Sequence, residues 1–387
     1  MGLTLSHLSA LDVLRTLRAE GTNIHEMDVT RLDTPSPWKG ERWSKRNFAS
    51  EYWQLPIPSK TNPLDILVPN RDGRIRLQGI NTHATWVELP PRSILWIDEH
   101  AAVVRPELMF LQVAEVFSLP ALVMLGYELC GHFSRSALNP RDGNVTMDLP
   151  AATTVEDLRA YLSSIKRGRG IRRAKEALRY VSDHAISAPE AVLATMYSLP
   201  ARESGYGLGP LTLNKRVGLA DSEAAQGQVF NVGNVWQTSA RFPDLLLGIA
   251  PVGINYDGED HLDLPGLVVA ARKAALADES DQSSAQEEVR RTMKQIRNKV
   301  IDDNQRNRQL ISRGYIVLPA TKEDLYGKDR LDEFTMQLLA CAHHYFGIDV
   351  AKYESIVNDT SLKRDRYDLL RSLLPAGGTR KSSHGVM

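Results

Sequence analysis

Cysteine is nearly absent from this chain of 387 residues, where Cys130 and Cys341 are the only two. A disulfide framework and a multi-thiolate zinc site both need more thiols, so the count excludes them. An excess of charge of one sign is also lacking: 47 Lys and Arg stand against 47 Asp and Glu. No global field announces a polyanionic partner, and any such partner must be met by a local patch. Long hydrophobic runs are missing as well. The most apolar stretch, FSLPALVMLGYELCGHF, holds Pro, Glu and His within a span too short for a bilayer. The opening MGLTLSHLSALDVLRTLRAEG has no basic region followed by an unbroken apolar run. These absences lead us to expect a reduced, cytoplasmic protein with no membrane contact. Nucleotide-binding glycine motifs are absent too, because GYGLGP misses the G-x-G-x-x-G spacing.

What is present is ordinary globular usage, 42% apolar and 24% charged, over a length that supports two or three domains. Residues 1–150 read as an α+β domain, in which a helix capped by Ser6 or Ser9 precedes short runs such as LDILVPN and RIRLQGI. The segment 106–130 has helical apolar spacing, and Pro120 starts a second apolar helix. Residues 151–185 read as a basic helical connector, helix, turn and helix. Between 156 and 180 lie eight basic and three acidic residues, and the turn Lys166, Arg167, Arg169, Arg172 and Arg173 contains glycines that let backbone and side chains approach a phosphate together. His83, beside Thr and Trp, reads as a hydrogen-bonded packing residue.

From 186 to 330 the order is helix, loop, strand, hairpin turn, strand, helix pair, strand, which implies a mixed sheet flanked by helices. In the stretch RFPDLLLGIAPVGINYDGEDHLD, Asp244 opens one strand, and Asn255 and Asp257 lie two apart on the next, sharing a face by the period-2 rule. If the strands pair across GIAP, the three converge at one end, an arrangement of hard oxygens that suits Mg²⁺ or Mn²⁺. Asp-Gly is equally a hairpin dipeptide. A charged helix follows, with an apolar stripe of Val289, Met293, Ile296 and Val300 and a basic face of Arg290, Lys294 and Arg297. Residues 331–373 read as C-terminal helices and 374–387 as a disordered tail.

The series Pro189-Glu190, PLTLN, FPDLLL, INYDGEDH, DDNQRNRQLISRGYIVL and KEDL resembles the very-short-patch-repair-like branch of the PD-(D/E)XK nucleases. NTHATWVELPPRS, AAVVRPELMFLQVAEVF and LVMLGYELCG resemble the AbiEi-type antitoxins that precede this domain in actinobacterial proteins. The resemblance spans roughly residues 75–325. It implies a restriction-endonuclease-like α/β domain behind an antitoxin-like region, with Glu190, Asp244 and Asp257 in a metal site and His261 beside it. It places Asp303, Arg306 and Leu310 on the helix that packs against the sheet. Asn255 stands where the family pattern has Glu, which removes a negative charge and a general base. The expected function is Mg²⁺-dependent DNA hydrolysis, weakened by Asn255. Glu190, Asp244, Asn255 and Asp257 would hold the metal, His261 would protonate the leaving oxygen, and the basic turn and helix face would grip the backbone. The alternative is a non-catalytic DNA-binding regulator, or an antitoxin-like component with a toxin or phage-defence partner protein.

Overall fold

The computed structural model describes residues 3–27, 58–85, 88–98, 101–137, 139–215, 217–218, 229–232, 235–238, 240–241, 243–258, 264–276 and 281–376, and is a mixed α/β protein with several sheets and flanking helices. The chain divides into two compact units, Met1–Pro210 with Asp368–Met387, and Leu211–Tyr367. The boundary expected at residue 186 falls inside the first unit. Among the described residues no helix is long and apolar enough to cross a membrane.

The first unit is organised by β1 (Leu3–Leu5), α1 (His7–Ala19), β2 (Leu64–Val68), β3 (Ile80–Ala84), β4 (Ile94–Trp96) and β5 (Ala101–Val104). Their sheet runs β3-β2-β1-β5-β4, parallel between β2 and β3 and between β1 and β5, and antiparallel elsewhere. Every residue of β2, LDILV, is buried, as suits an interior strand covered on both faces. Next come α2 (Pro106–Val113) and α3 (Leu119–Leu129). Ser118 caps α3 by accepting the Ala121 N–H, and Pro120 sits in its first turn. A helix apolar on nearly all sides belongs inside a core, and α3 is buried along almost its whole length. After the short pair β6 (Ser134–Arg135) and β7 (Val145–Thr146), α4 (Val155–Ser164) and α5 (Ile171–Ala177) pack on α2 and α3, and α6 (Ala188–Ser198) packs on α3. Leu374 is buried and Ala376 N donates to Arg141 O at 2.8 Å. The first residues of the expected disordered tail are therefore packed, and 377–387 lie outside the described residues.

In the second unit, β8 (Thr212–Leu213) is followed by β9 (Val217–Gly218), β10 (Val229–Val232), β11 (Val235–Thr238), β12 (Ala240–Arg241), β13 (Leu245–Leu246) and β14 (Val252–Asp257). Helices α7 (Leu264–Leu276) and α8 (Gln282–Ser312) then lead to β15 (Ile316–Thr321). The main sheet runs β15-β14-β13-β8, antiparallel from β8 to β14 and parallel between β14 and β15. A parallel neighbour requires a crossover connection, and α7 with α8 supplies it. Gly253 permits the close pairing of β13 and β14, since a Cβ there would meet Leu245 O at 2.6 Å. Gly314, at φ +80°, ends α8 in the left-handed region, while Tyr315 N returns to Leu310 O at 3.0 Å. The remaining helices are α9 (Lys322–Tyr326), α10 (Arg330–Phe346), α11 (Ala351–Asn358) and α12 (Thr360–Leu373). Buried Arg366 on α12 holds Asp332 on α10 at 2.8 Å.

Candidate functional site

In the second unit, Leu245 pairs with Ile254. Carrying that register one step sets Asp244 opposite Asn255, and directly opposed residues of an antiparallel pair share a face. Asp257, two residues further along β14, keeps that face. Two hydrogen bonds fasten this end of the sheet: Tyr256 N donates to Asp244 Oδ2 at 2.6 Å, and Asp244 N donates to Asn255 Oδ1 at 3.3 Å. Asn255 is only 2% exposed and Asp257 Oδ1 is buried. On the other side of β14, Asn255 is matched with Pro319 and Asp257 with Thr321. Pro319 costs the sheet little because β15 is an edge strand.

Helix α8 packs on this sheet through Leu310, which forms a small core with Val317 and Tyr315. One and two turns earlier on the same side are half-buried Asp303, Arg306 and Asn307. Arg306 Nη2 approaches Asp303 Oδ1 at 3.2 Å. Arg306 Nε and Asn307 Oδ1 are buried, with no hydrogen-bond partner among the described residues. Among the described residues no three His, Cys, Asp or Glu side chains gather as a metal cluster. His261 lies outside the described residues.

Glu190 belongs to the first unit, and its surroundings there explain it as a helix cap. Ser187 Oγ donates to Oε1 at 2.8 Å, Ile186 N donates to Oε2 at 3.0 Å, and Glu190 N returns to Ser187 Oγ at 3.4 Å. This reciprocal capping uses amide donors that the start of α6 would otherwise leave unsatisfied.

The predicted basic residues divide by what they touch. Arg290, Lys294 and Arg297 are exposed on α8. Of the apolar stripe expected there, Val289 and Ile296 are half-buried on either side of buried Thr292, while Met293 and Val300 are exposed, so the packed face keeps half of the stripe and is rotated away from the rest. Lys166 and Arg167, in the turn before α5, and Arg172, in its first turn, are exposed. Arg169 pairs with Glu115 at 3.1 Å, and Arg173 Nη1 donates to Phe117 O at 2.8 Å beyond the end of α2. Gly170, at φ +75°, lets this turn lie against α2, since a Cβ would come within 2.8 Å of Leu111 O.

Two constellations in the first unit carry no sequence signal. In the first, Asp65 on β2 is matched with Asn81 on β3, and His83 lies two residues on, so all three share a face. His83 Nε2 and Asn81 Nδ2 meet Asp65 Oδ1 at 2.8 and 3.1 Å. His7 stacks on His83 with ring centroids 3.6 Å apart, and its Nδ1 lies 3.0 Å from Ser6 Oγ. Its backbone is left-handed at φ +50°. Burial, and then the neighbouring His83, pull the His7 pKa from 6.5 down to about 4 against the opposing Asp65. Both imidazoles line a cleft of about 790 Å³ together with Arg71, Arg74, Arg167 and Arg169.

In the second constellation, buried Glu128 on α3 takes Arg15 Nε and Nη2 at 2.8 and 2.9 Å and Arg135 Nε at 2.7 Å. Arg18 spans Glu128 O and Gly131 O at 2.9 Å each. Burial pushes the Glu128 carboxyl up, but Arg135 and Arg15 outweigh it and hold the group below the usual carboxylate range. Nothing in the spacing of 7, 65 and 83, or of 15, 128 and 135, announces either group, because chain entry and strand pairing bring them together. The neighbouring Cys130 thiol is pushed up by burial, which makes it an inert packing residue.

No protein-family model, no curated protein and no solved structure matches this chain.

Proposed function

We propose that the chain is a DNA-acting protein whose second unit is built on a restriction-endonuclease-like sheet with a weakened hydrolytic site. One observation carries the reading. An antiparallel series β8-β13-β14 continues through a helical crossover into a parallel β15, and Asp244, Asn255 and Asp257 share one face at one end of it. Two carboxylates and an amide oxygen are hard donors that Mg²⁺ or Mn²⁺ accepts, with waters completing the shell. Such an ion supplies Lewis acidity and an ionised water. The chain's own contribution is to hold Asp244 rigidly through Tyr256 N and to present exposed Arg290, Lys294 and Arg297 to a phosphate backbone.

A second reading, a non-catalytic DNA-binding regulator or antitoxin-like partner, is favoured by the hydrogen bonds of Asn255 and Glu190. Asn255 Oδ1 accepts a backbone N–H and both Glu190 oxygens cap α6, so each has a structural task that needs no metal.

The test is cleavage of plasmid DNA with Mg²⁺ or Mn²⁺ by wild type, Asp244→Ala and Asn255→Asp. Slow metal-dependent cleavage is expected from wild type. It should fall by about a hundredfold or more in Asp244→Ala, given that even residues supporting a metal ligand carry 10–100-fold, and rise in Asn255→Asp. Salt-sensitive DNA retention without cleavage by any of the three selects the regulator. Absence of both retires the DNA-acting proposal.

A further inference from the structure

We propose that the His7–His83 cleft of the first unit binds a nucleoside phosphate, either as a free nucleotide or as the terminal nucleotide of a DNA strand. The inference goes beyond the proposed nuclease-like site and does not depend on it, because every described lining residue belongs to the first unit.

Charge defines one half of the ligand. Among the described residues that line the cleft, four are arginines and one, Glu115, carries a carboxylate. That carboxylate pairs with Arg169 through largely exposed side chains, an ion pair weak enough for a phosphate to displace. Arg71 and Arg74 stand beside β2, and Arg167 and Arg169 come from the basic turn on the α2 side, so guanidinium groups approach from two separate segments. Planar guanidinium forks match phosphate oxygens in geometry as well as charge. The turn is held in place by Gly170 against α2, which makes its two cleft arginines part of a formed wall.

The remaining lining defines the other half. Leu67, Leu111 and Ile165 contribute aliphatic surface, which a bare inorganic anion would leave unused. Stacked His7 and His83 add a flat π-surface at the wall, and the His83 side chain remains 32% exposed. His83 is oriented by Asp65, which is itself held by Asn81. His7 is uncharged at neutral pH, so the wall suits stacking on a heterocycle, an interaction every base can make. His7 itself has a left-handed backbone, φ +50°, and strain of this kind concentrates at functional sites. At about 790 Å³ the cleft lies within the size range of small-ligand sites.

The experiment is calorimetric titration of the full chain with inorganic phosphate, a nucleoside, its 5′-monophosphate, and a short single-stranded oligonucleotide with and without a 5′-phosphate. The monophosphate is expected to bind at least about tenfold more tightly than either the nucleoside or phosphate alone, since each charge-assisted hydrogen bond is worth that much or more. Arg74→Gln with Arg167→Gln, two exposed positions whose change should leave the melting temperature unaltered, is expected to weaken monophosphate binding about tenfold or more. His83→Asn, in which the amide can still donate to Asp65, should weaken the monophosphate and leave phosphate binding unchanged. Tighter binding of the 5′-phosphorylated oligonucleotide than of the monophosphate assigns the ligand to a strand terminus, and the reverse order to a free nucleotide. Equal binding of nucleoside and monophosphate, equal binding of phosphate and monophosphate, no binding of any probe, or full affinity in the double arginine variant each overturns the proposal.

Discussion

Single side chains set the acid response of the first unit, and two of them oppose each other. His7 binds its proton at about pH 4 when folded against an ordinary 6.5. Its contribution is therefore complete above pH 6.5 and is lost as pH falls toward 4, by up to about 3 kcal/mol. Half-buried Asp12 is raised from 3.8 to about 6 by burial first, with Arg15 opposing and Asp65 adding to the rise. Its contribution is complete below pH 3.8 and is lost as pH rises through 6. Asp12→Asn is thus expected to raise stability at pH 7 by about 1–3 kcal/mol and to steepen the loss between pH 6.5 and 4, read by denaturant titration across that range. Glu128 behaves differently, because its removal strands two buried guanidinium groups. Glu128→Gln is expected to cost about 3–5 kcal/mol in the same measurement.

Helix ends and strand ends decide what the predicted acidic residues do. Glu190 opens α6 in the Ser-Ala-Pro-Glu sequence of a capping box, a signal available from spacing alone. Ser187→Ala is expected to cost about 1 kcal/mol of stability and to leave any metal-dependent cleavage unchanged; a loss of cleavage at full stability would assign this helix start to chemistry. The pairing of β13 with β14 follows from the apolar runs on either side of GIAP. Asp244 faces Asn255 because the turn length sets the register, and a slip of one residue would turn Asp257 to the opposite face. Gly253→Ala tests that register, since its Cβ has no room beside Leu245 O. A loss of a few kcal/mol is expected, of the order seen when a core is overpacked. On α8 the apolar periodicity was legible and its packed face only in part, through half-buried Val289 and Ile296. Thr292 is buried and Met293 exposed because the neighbours of a 31-residue helix, rather than its own stripe, choose the side that packs.

At the scale of the whole molecule, zero formal net charge leaves nucleic-acid attraction to patches, so salt dependence is the informative measurement. Replacing Arg290, Lys294 and Arg297 together by Gln is expected to weaken DNA retention and to reduce the slope of log K against log salt by roughly 0.9 for each phosphate no longer neutralised. An unchanged slope would remove α8 from the DNA-binding surface. The division at Pro210 and Leu211 could not be read from composition, because the basic segment 151–185 looks like a connector until α4 and α5 are seen packed on α2 and α3. By itself the amino-acid sequence determined the α/β class, the buried apolar helices, the glycine stop of α8 and the hairpin that carries Asp244 and Asp257, since all of these rest on local periodicity and backbone preference. Only the tertiary structure decided that His7 stacks on an Asp65-bound His83 in one cleft wall and that Arg15 and Arg135 share Glu128. Those partners lie as far as 113 residues apart, and the free energy of desolvating a charge depends on neighbours that no local stretch of chain contains.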